Sequence, residues 1–115
     1  MNELDRLHQE AMDLVDQAIL ARRRGDLDHA KILIKSAFTQ EQAAAALTEA
    51  QFDLEPTRSV LHRSAAALAI ECTEFRAAEK LIGRALAGNP PAEIADELRD
   101  LLLTEIYPKR QLLTA

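Results

Sequence analysis

Three histidines, one cysteine and a run of three arginines are the side chains of this 115-residue chain with the most obvious chemical potential. Their spacing argues against most of it. His8, His29 and His62 lie far apart. Neither His-x-x-x-His nor His-Glu-x-x-His occurs, and these are the spacings that put two metal ligands on one helical face. Asp26, Asp28 and His29 do cluster, but at a helix start, where acids cap backbone N–H groups and suit the positive end of the dipole. Cys72 stands beside Glu71 and Glu74. Neighbouring carboxylates raise a thiol pKa, the wrong direction for a nucleophile, so a packed structural cysteine is expected. Arg22-Arg23-Arg24 point to different sides of a helix next to Asp26 and Asp28, as at a solvated helix end. The three glycines are isolated, so no phosphate-cradling loop is present. No Ser-His-acid arrangement can be argued from separated helices. The expectation is a protein without catalytic residues, metal or cofactor.

Composition narrows the class. The chain is long enough for one domain with a modest core. Hydrophobic residues make up 48%, but much of this is alanine, and only Phe38, Phe52, Phe75 and Tyr107 are aromatic. Good helix formers dominate, and β-branched runs are absent. Net charge is -5. It is uneven: residues 1–55 carry 6 basic and 11 acidic side chains, residues 56–115 carry 8 of each. An acidic chain without a basic stripe is a poor match for nucleic acid or an anionic membrane, so neither is an expected partner. A lone cysteine gives no sign of an oxidising compartment. Met1-Asn2-Glu3-Leu4-Asp5 lacks the basic start and apolar run of a signal peptide, and no apolar run is long enough to span a bilayer. A cytoplasmic location is expected.

Five helices are predicted to position these residues. The first runs from about Glu3 to Arg24, with Leu4, Leu7, Ala11, Leu14, Ala18 and Ala21 on one stripe. Gly25 accepts a left-handed turn, and Asp26 caps the second helix. That helix carries Leu27, Ala30, Leu33, Ile34, Ala37 and Phe38. It continues to about Phe52, with a kink or early end foreseen near Thr39. Glu55-Pro56-Thr57 breaks the chain. The third helix spans about Thr57–Cys72 and the fourth about Phe75–Ala87. Gly88-Asn89-Pro90-Pro91 separates the fourth helix from a fifth, Ala92 to about Ile106. Pro108 is expected to end it and leave a fraying tail.

One pattern occurs twice. Gly25-Asp26-Leu27-Asp28-His29-Ala30 is followed by Ile34 and Ala37. Thr73-Glu74-Phe75-Arg76-Ala77-Ala78 is followed at the same offsets by Ile82 and Ala85. Each copy places small residues where two helices cross at a tight turn. With their flanking residues Ala18, Ala66 and Pro90, the copies resemble tetratricopeptide repeats. The resemblance covers about residues 10–90. The two turns lie 48 residues apart, against the ~34 of that family. The excess is expected to lengthen the second helix. Ala21 and Ala69 stand where the family usually has a tyrosine.

The resemblance implies an all-α fold of antiparallel helical hairpins. One single domain is expected: a first hairpin in 1–55, a second in 56–90, a capping helix in 91–107 and a tail in 108–115. It also implies a concave surface lined by the first helix of each hairpin. Met12, Val15, Asp16, Ile19, Arg22 and Arg23 would come from one copy. Ser59, Val60, Arg63, Ser64, Ala67, Ile70 and Glu71 would come from the other. The Lys and Asn clamp with which some relatives hold a peptide carboxylate is absent, since Val15, Ile19 and Ser64 occupy matching positions. Three functions follow in order. The first is a small non-enzymatic adaptor that presents this groove to a protein or peptide. The second is a self-associating structural homodimer. The third, a bundle binding a small molecule, lacks the buried polar cluster it needs.

Overall fold

The computed structural model describes residues 2–114. The chain is all-α, with no strand among the described residues. Its helices are α1 (Glu3–Arg23), α2 (Leu27–Thr48), α3 (Thr57–Glu71), α4 (Phe75–Ala87) and α5 (Ala92–Asp100). A π-helical segment (Leu101–Ile106) and α6 (Tyr107–Thr114) then prolong α5. Each helix packs chiefly on the one before and the one after, and the C-terminal segment lies on α3 and α4. The result measures 45 × 41 × 20 Å, a slab two helices thick.

The two hairpin turns match bond for bond. Gly25 has φ 79° and Thr73 has φ 58°. Gly25 N–H donates to Arg22 O at 2.9 Å and Asp26 N–H to Ala21 O at 2.9 Å. Thr73 N–H donates to Ile70 O at 3.0 Å and Glu74 N–H to Ala69 O at 2.8 Å. Both are Schellman turns, which satisfy carbonyls stranded at the helix end. Asp26 accepts a side-chain bond from His29 N–H, the expected N-cap; Glu74 makes none.

Alanine sets the helix spacing. Ala11, Ala18, Ala21, Ala30, Ala37, Ala44 and Ala45 are buried in the first hairpin, and Ala65, Ala66, Ala69, Ala78 and Ala85 in the second. Side chains this small let backbones approach closely, but each contributes little burial. Leu33, Ile34 and Phe38, then Leu61, Leu68, Phe75, Leu81 and Ile82, supply the bulk, with Leu98 and Ile106 from the C-terminal segment.

Three expectations need correction. α2 is continuous past Thr39, whose hydroxyl bonds Lys35 O within the helix, and it ends at Thr48 rather than Phe52. Residues 49–56 form a looped segment. Ser59 is buried, its N–H held by Glu55 Oε1 at 2.9 Å, so it does not belong to an open face. Finally, Pro108 does not end the last helix. The preceding turn is π-helical, with Tyr107 N–H donating to Leu102 O. Its wider ring moves carbonyls away from the proline ring, and the backbone stays helical to Thr114. Ala115 lies outside the described residues.

Arg58 is the largest fully buried side chain. Its Nε donates to Glu49 O at 3.1 Å and its Nη2 to Arg84 O at 2.9 Å. Both carbonyls are stranded at helix C-termini; Gly88 N–H, the usual partner for Arg84 O, turns to Ala85 O. The guanidinium also lies 4.7 Å from the centre of the Phe52 ring. A Cβ on Gly88 would sit 2.4 Å from Arg58 Nη1, so any side chain here requires the guanidinium to shift. His62 is buried on the same helix, with Nδ1 2.7 Å from Arg58 O.

Predictions follow for three of these residues. A β-branched residue at positive φ is strained by about 1–2 kcal/mol. Thr73→Gly is expected to stabilise the fold by about 1 kcal/mol, read as a higher midpoint in urea; a drop in midpoint would show that the Thr73 side chain is needed at the turn. Arg58→Met keeps much of the volume but strands two buried carbonyls, so a loss of roughly 2–4 kcal/mol is expected in the same assay. Arg58→Lys should recover only part of it, because an ammonium lacks the planar fork.

Burial holds the His62 imidazole below its ordinary pKa, against the opposing effect of its bond to Arg58 O. The unfolded chain therefore takes up this proton first as pH falls. Stability from this group is intact above about pH 7 and declines below about pH 6.5. Unfolding free energy measured from about pH 7.5 to about pH 5.5 should fall less steeply in His62→Asn than in wild type. Equal slopes would mean that His62 is not the group responsible.

Candidate functional site

The sequence-predicted face divides into three connected clefts around the exposed side of α3. The first lies between α3 and α5 and is lined by Arg63, Ser64, Ala67, Glu97, Asp100 and Leu101. The second follows the C-terminal half of α3, with Ala67, Ile70, Glu71, Thr73 and Phe75 facing Leu101, Glu105 and Lys109. Ala67 and Leu101 belong to both, so these two form one groove. The third lies where α1 ends, bounded by Arg22, Lys31, Ile34, Lys35, Glu71, Cys72 and Thr73. It meets the second at Glu71 and Thr73.

Helical periodicity explains the α3 wall. Arg63, Ala67 and Ile70 recur at steps of four and three, so they share a face. The opposite face, Leu61, Ala65, Leu68 and Ala69, is buried in the core. Ala67 is exposed, while Arg63, Ser64 and Ile70 are half-buried at the groove wall. The other wall comes from the C-terminal helix, whose Leu98 and Ile106 anchor in the core and leave Leu101 at the rim.

The predicted residues are thus only partly brought together. Arg63, Ser64, Ala67 and Ile70 line the groove, and Arg22 joins them at the third cleft. Met12, Val15, Asp16 and Ile19 lie farther along α1, outside all three clefts. Val15 packs partly on the core, and Ile19 remains 39% exposed. Arg23 is exposed beyond the cleft lined by Arg22. Helix phase alone could not separate these groups, because α1 and α3 each pack on α2 and barely touch each other.

Ion pairs tie the rims together. Arg22 Nη2 lies 3.0 Å from Glu71 Oε1, linking α1 to α3. Arg63 Nη1 lies 2.7 Å from Glu97 Oε2, linking α3 to α5. Lys109 pairs with Glu105 at 2.8 Å, and Arg110 with Glu79. These pairs are largely solvated, so each contributes at most about 1 kcal/mol. They matter more for the charge they cancel along the groove.

Other titratable groups are structural. His8 Nδ1 sits 2.9 Å from both oxygens of Glu41, a carboxylate fully buried on α2. This pair fastens α1 to α2, and the 33-residue separation gave no sequence signal for it. Burial pushes the Cys72 thiol pKa up, and Glu71 and Glu74 add to the effect, as the sequence suggested. Among the described residues, no group of three His, Cys, Asp or Glu side chains is placed to hold a metal ion. No described helix is long and apolar enough to cross a membrane.

Sequence reasoning missed Lys31, Lys35, Cys72 and Thr73 as cleft residues, along with the whole C-terminal wall. The i, i+4 spacing of Lys31 and Lys35 is a usable signal that they share a face. Comparison of the chain with protein-family models, curated proteins and solved structures gives no match.

Proposed function

We propose that this chain is a small adaptor. Its two tetratricopeptide-like hairpins and capping helix present a helical groove to a segment of another protein, without chemistry of their own. The observation that carries this reading is the groove centred on Ala67 and Leu101. Its two halves enclose about 470 and 590 Å³, are open to solvent, and run along one helix face. An open channel with an apolar floor and paired charges at its rim suits an extended or helical segment better than an enclosed small molecule. The acidic balance of the chain favours a protein partner over nucleic acid. The single cysteine fits a cytoplasmic setting.

A second reading is self-association, favoured by the outward face of α2. There Ile32 is 64% and Leu47 43% exposed, and the exposed Ser36, Thr39, Ala43 and Ala46 share their side of the helix without a charge, with Lys35 at its border.

One experiment addresses both. Ala67→Arg would fill the groove at its centre from an exposed position, leaving the fold intact. Affinity capture from a lysate should retain a protein with wild type and lose it with Ala67→Arg at equal melting temperature. Equal retention would refute the groove as the site. Sedimentation of wild type beside Ala43→Glu reads the second hypothesis: a dimer mass in wild type that is lost in Ala43→Glu would put the contact on α2.

A further inference from the structure

The cleft at the end of α1 differs from the groove it adjoins. Around the groove, each lysine or arginine has a carboxylate partner: Arg22 with Glu71, Arg63 with Glu97, Lys109 with Glu105. Lys31 and Lys35 line the cleft and have none among the described residues. They stand four residues apart on α2, so their side chains project side by side, and like charges in that register repel. Two of the acids nearby are already engaged: Glu71 pairs with Arg22, and Asp26 accepts the His29 N–H as helix cap. Two others, Asp28 and Glu74, make no ion pair with either lysine among the described residues. A chain of net charge -5 thus holds a cleft of about 300 Å³ with two lysines at its edge that form no ion pair among the described residues.

The cleft also has an apolar wall. Ile34 lies between the two lysines in sequence and is almost wholly buried, and Cys72 is half-buried opposite. The shallow site formed by Arg76, Glu79, Lys80 and Arg110 is cationic too, but no apolar side chain lines it. A simple counter-ion needs only charge. Paired cations over an apolar floor suit a ligand that alternates carboxylate and apolar groups, as an acidic protein segment does.

We propose that the cleft bounded by Lys31, Lys35, Ile34 and Cys72 binds an acidic segment of a protein partner. Carboxylates of the segment pair with the two ammonium groups, and an apolar side chain rests on Ile34 and Cys72. The site lies on α2 and the α3–α4 turn rather than on the inner faces of α1 and α3. It continues the Ala67 groove through Glu71 and Thr73, so one segment can cross both. The inference rests on the adaptor reading in that its occupant is a protein.

The test is an amide chemical-shift titration with a synthetic peptide of alternating Glu and Leu. Controls are the same peptide with Gln for Glu, and an oligonucleotide of equal charge. Expected are shifts centred on Lys31, Lys35 and Thr73 with the Glu peptide, and affinity about tenfold weaker in Lys31→Glu/Lys35→Glu. The binding should also weaken as salt is raised, since both ammonium groups are exposed. Equal affinity for the Glu and Gln peptides would overturn the proposal. So would absence of cleft shifts at millimolar peptide, indifference to the double substitution, or stronger binding of the oligonucleotide. The adaptor reading stands or falls separately, on whether Ala67→Arg abolishes the capture of a partner that wild type retains.

Discussion

Much of this fold is organised around one buried guanidinium. Arg58 lies between the ends of α2 and α4, where two helices expose unpaired carbonyls and the negative ends of their dipoles. Removing an arginine from water costs several kcal/mol. Two charge-assisted hydrogen bonds, two helix ends and the face of Phe52 offset that cost. The arrangement ties the end of α2 to the second hairpin and sets the guanidinium close against Gly88. It also brings Arg84 within 3.0 Å of Glu49 on the surface above. With so much of the core made of alanine, a polar clamp between the hairpins does work that bulky apolar side chains do in other small domains.

The same scarcity of bulk explains why the C-terminal helix matters. The α3–α4 hairpin is short and would leave Leu68, Leu81 and Ile82 thinly covered. Leu98 and Ile106, from a segment that packs on α3 and α4, join the same core. Because α5 and the π segment lie across α3 and α4 rather than along α1, they leave Arg63, Ala67 and Ile70 at the edge of a channel. The packing need of the core thus creates the groove. Core and groove share the same helix, with apolar residues turned inward and Glu97, Glu105 and Lys109 at the rim.

The amino-acid sequence by itself determined the helical character, most of the breaks and the equivalence of the two turns. These are local matters: alanine-rich periodicity, a glycine or threonine after a Schellman ending, a proline at a helix start. It also marked one wall of the groove, because Arg63, Ala67 and Ile70 share a face wherever α3 lies. Tertiary structure decided the rest. Whether Pro108 ends a helix depends on a π turn that only a packed segment adopts. Arg58 reads in sequence as an ordinary surface cation, and its burial follows from two carbonyls 9 and 26 residues away. Glu41 finds His8 from 33 residues away for the same reason. Periodicity assigns residues to the faces of one helix; the crossing of helices decides which faces meet. That is why Met12 and Ile19 fell outside the clefts while Lys31 and Lys35 came into them.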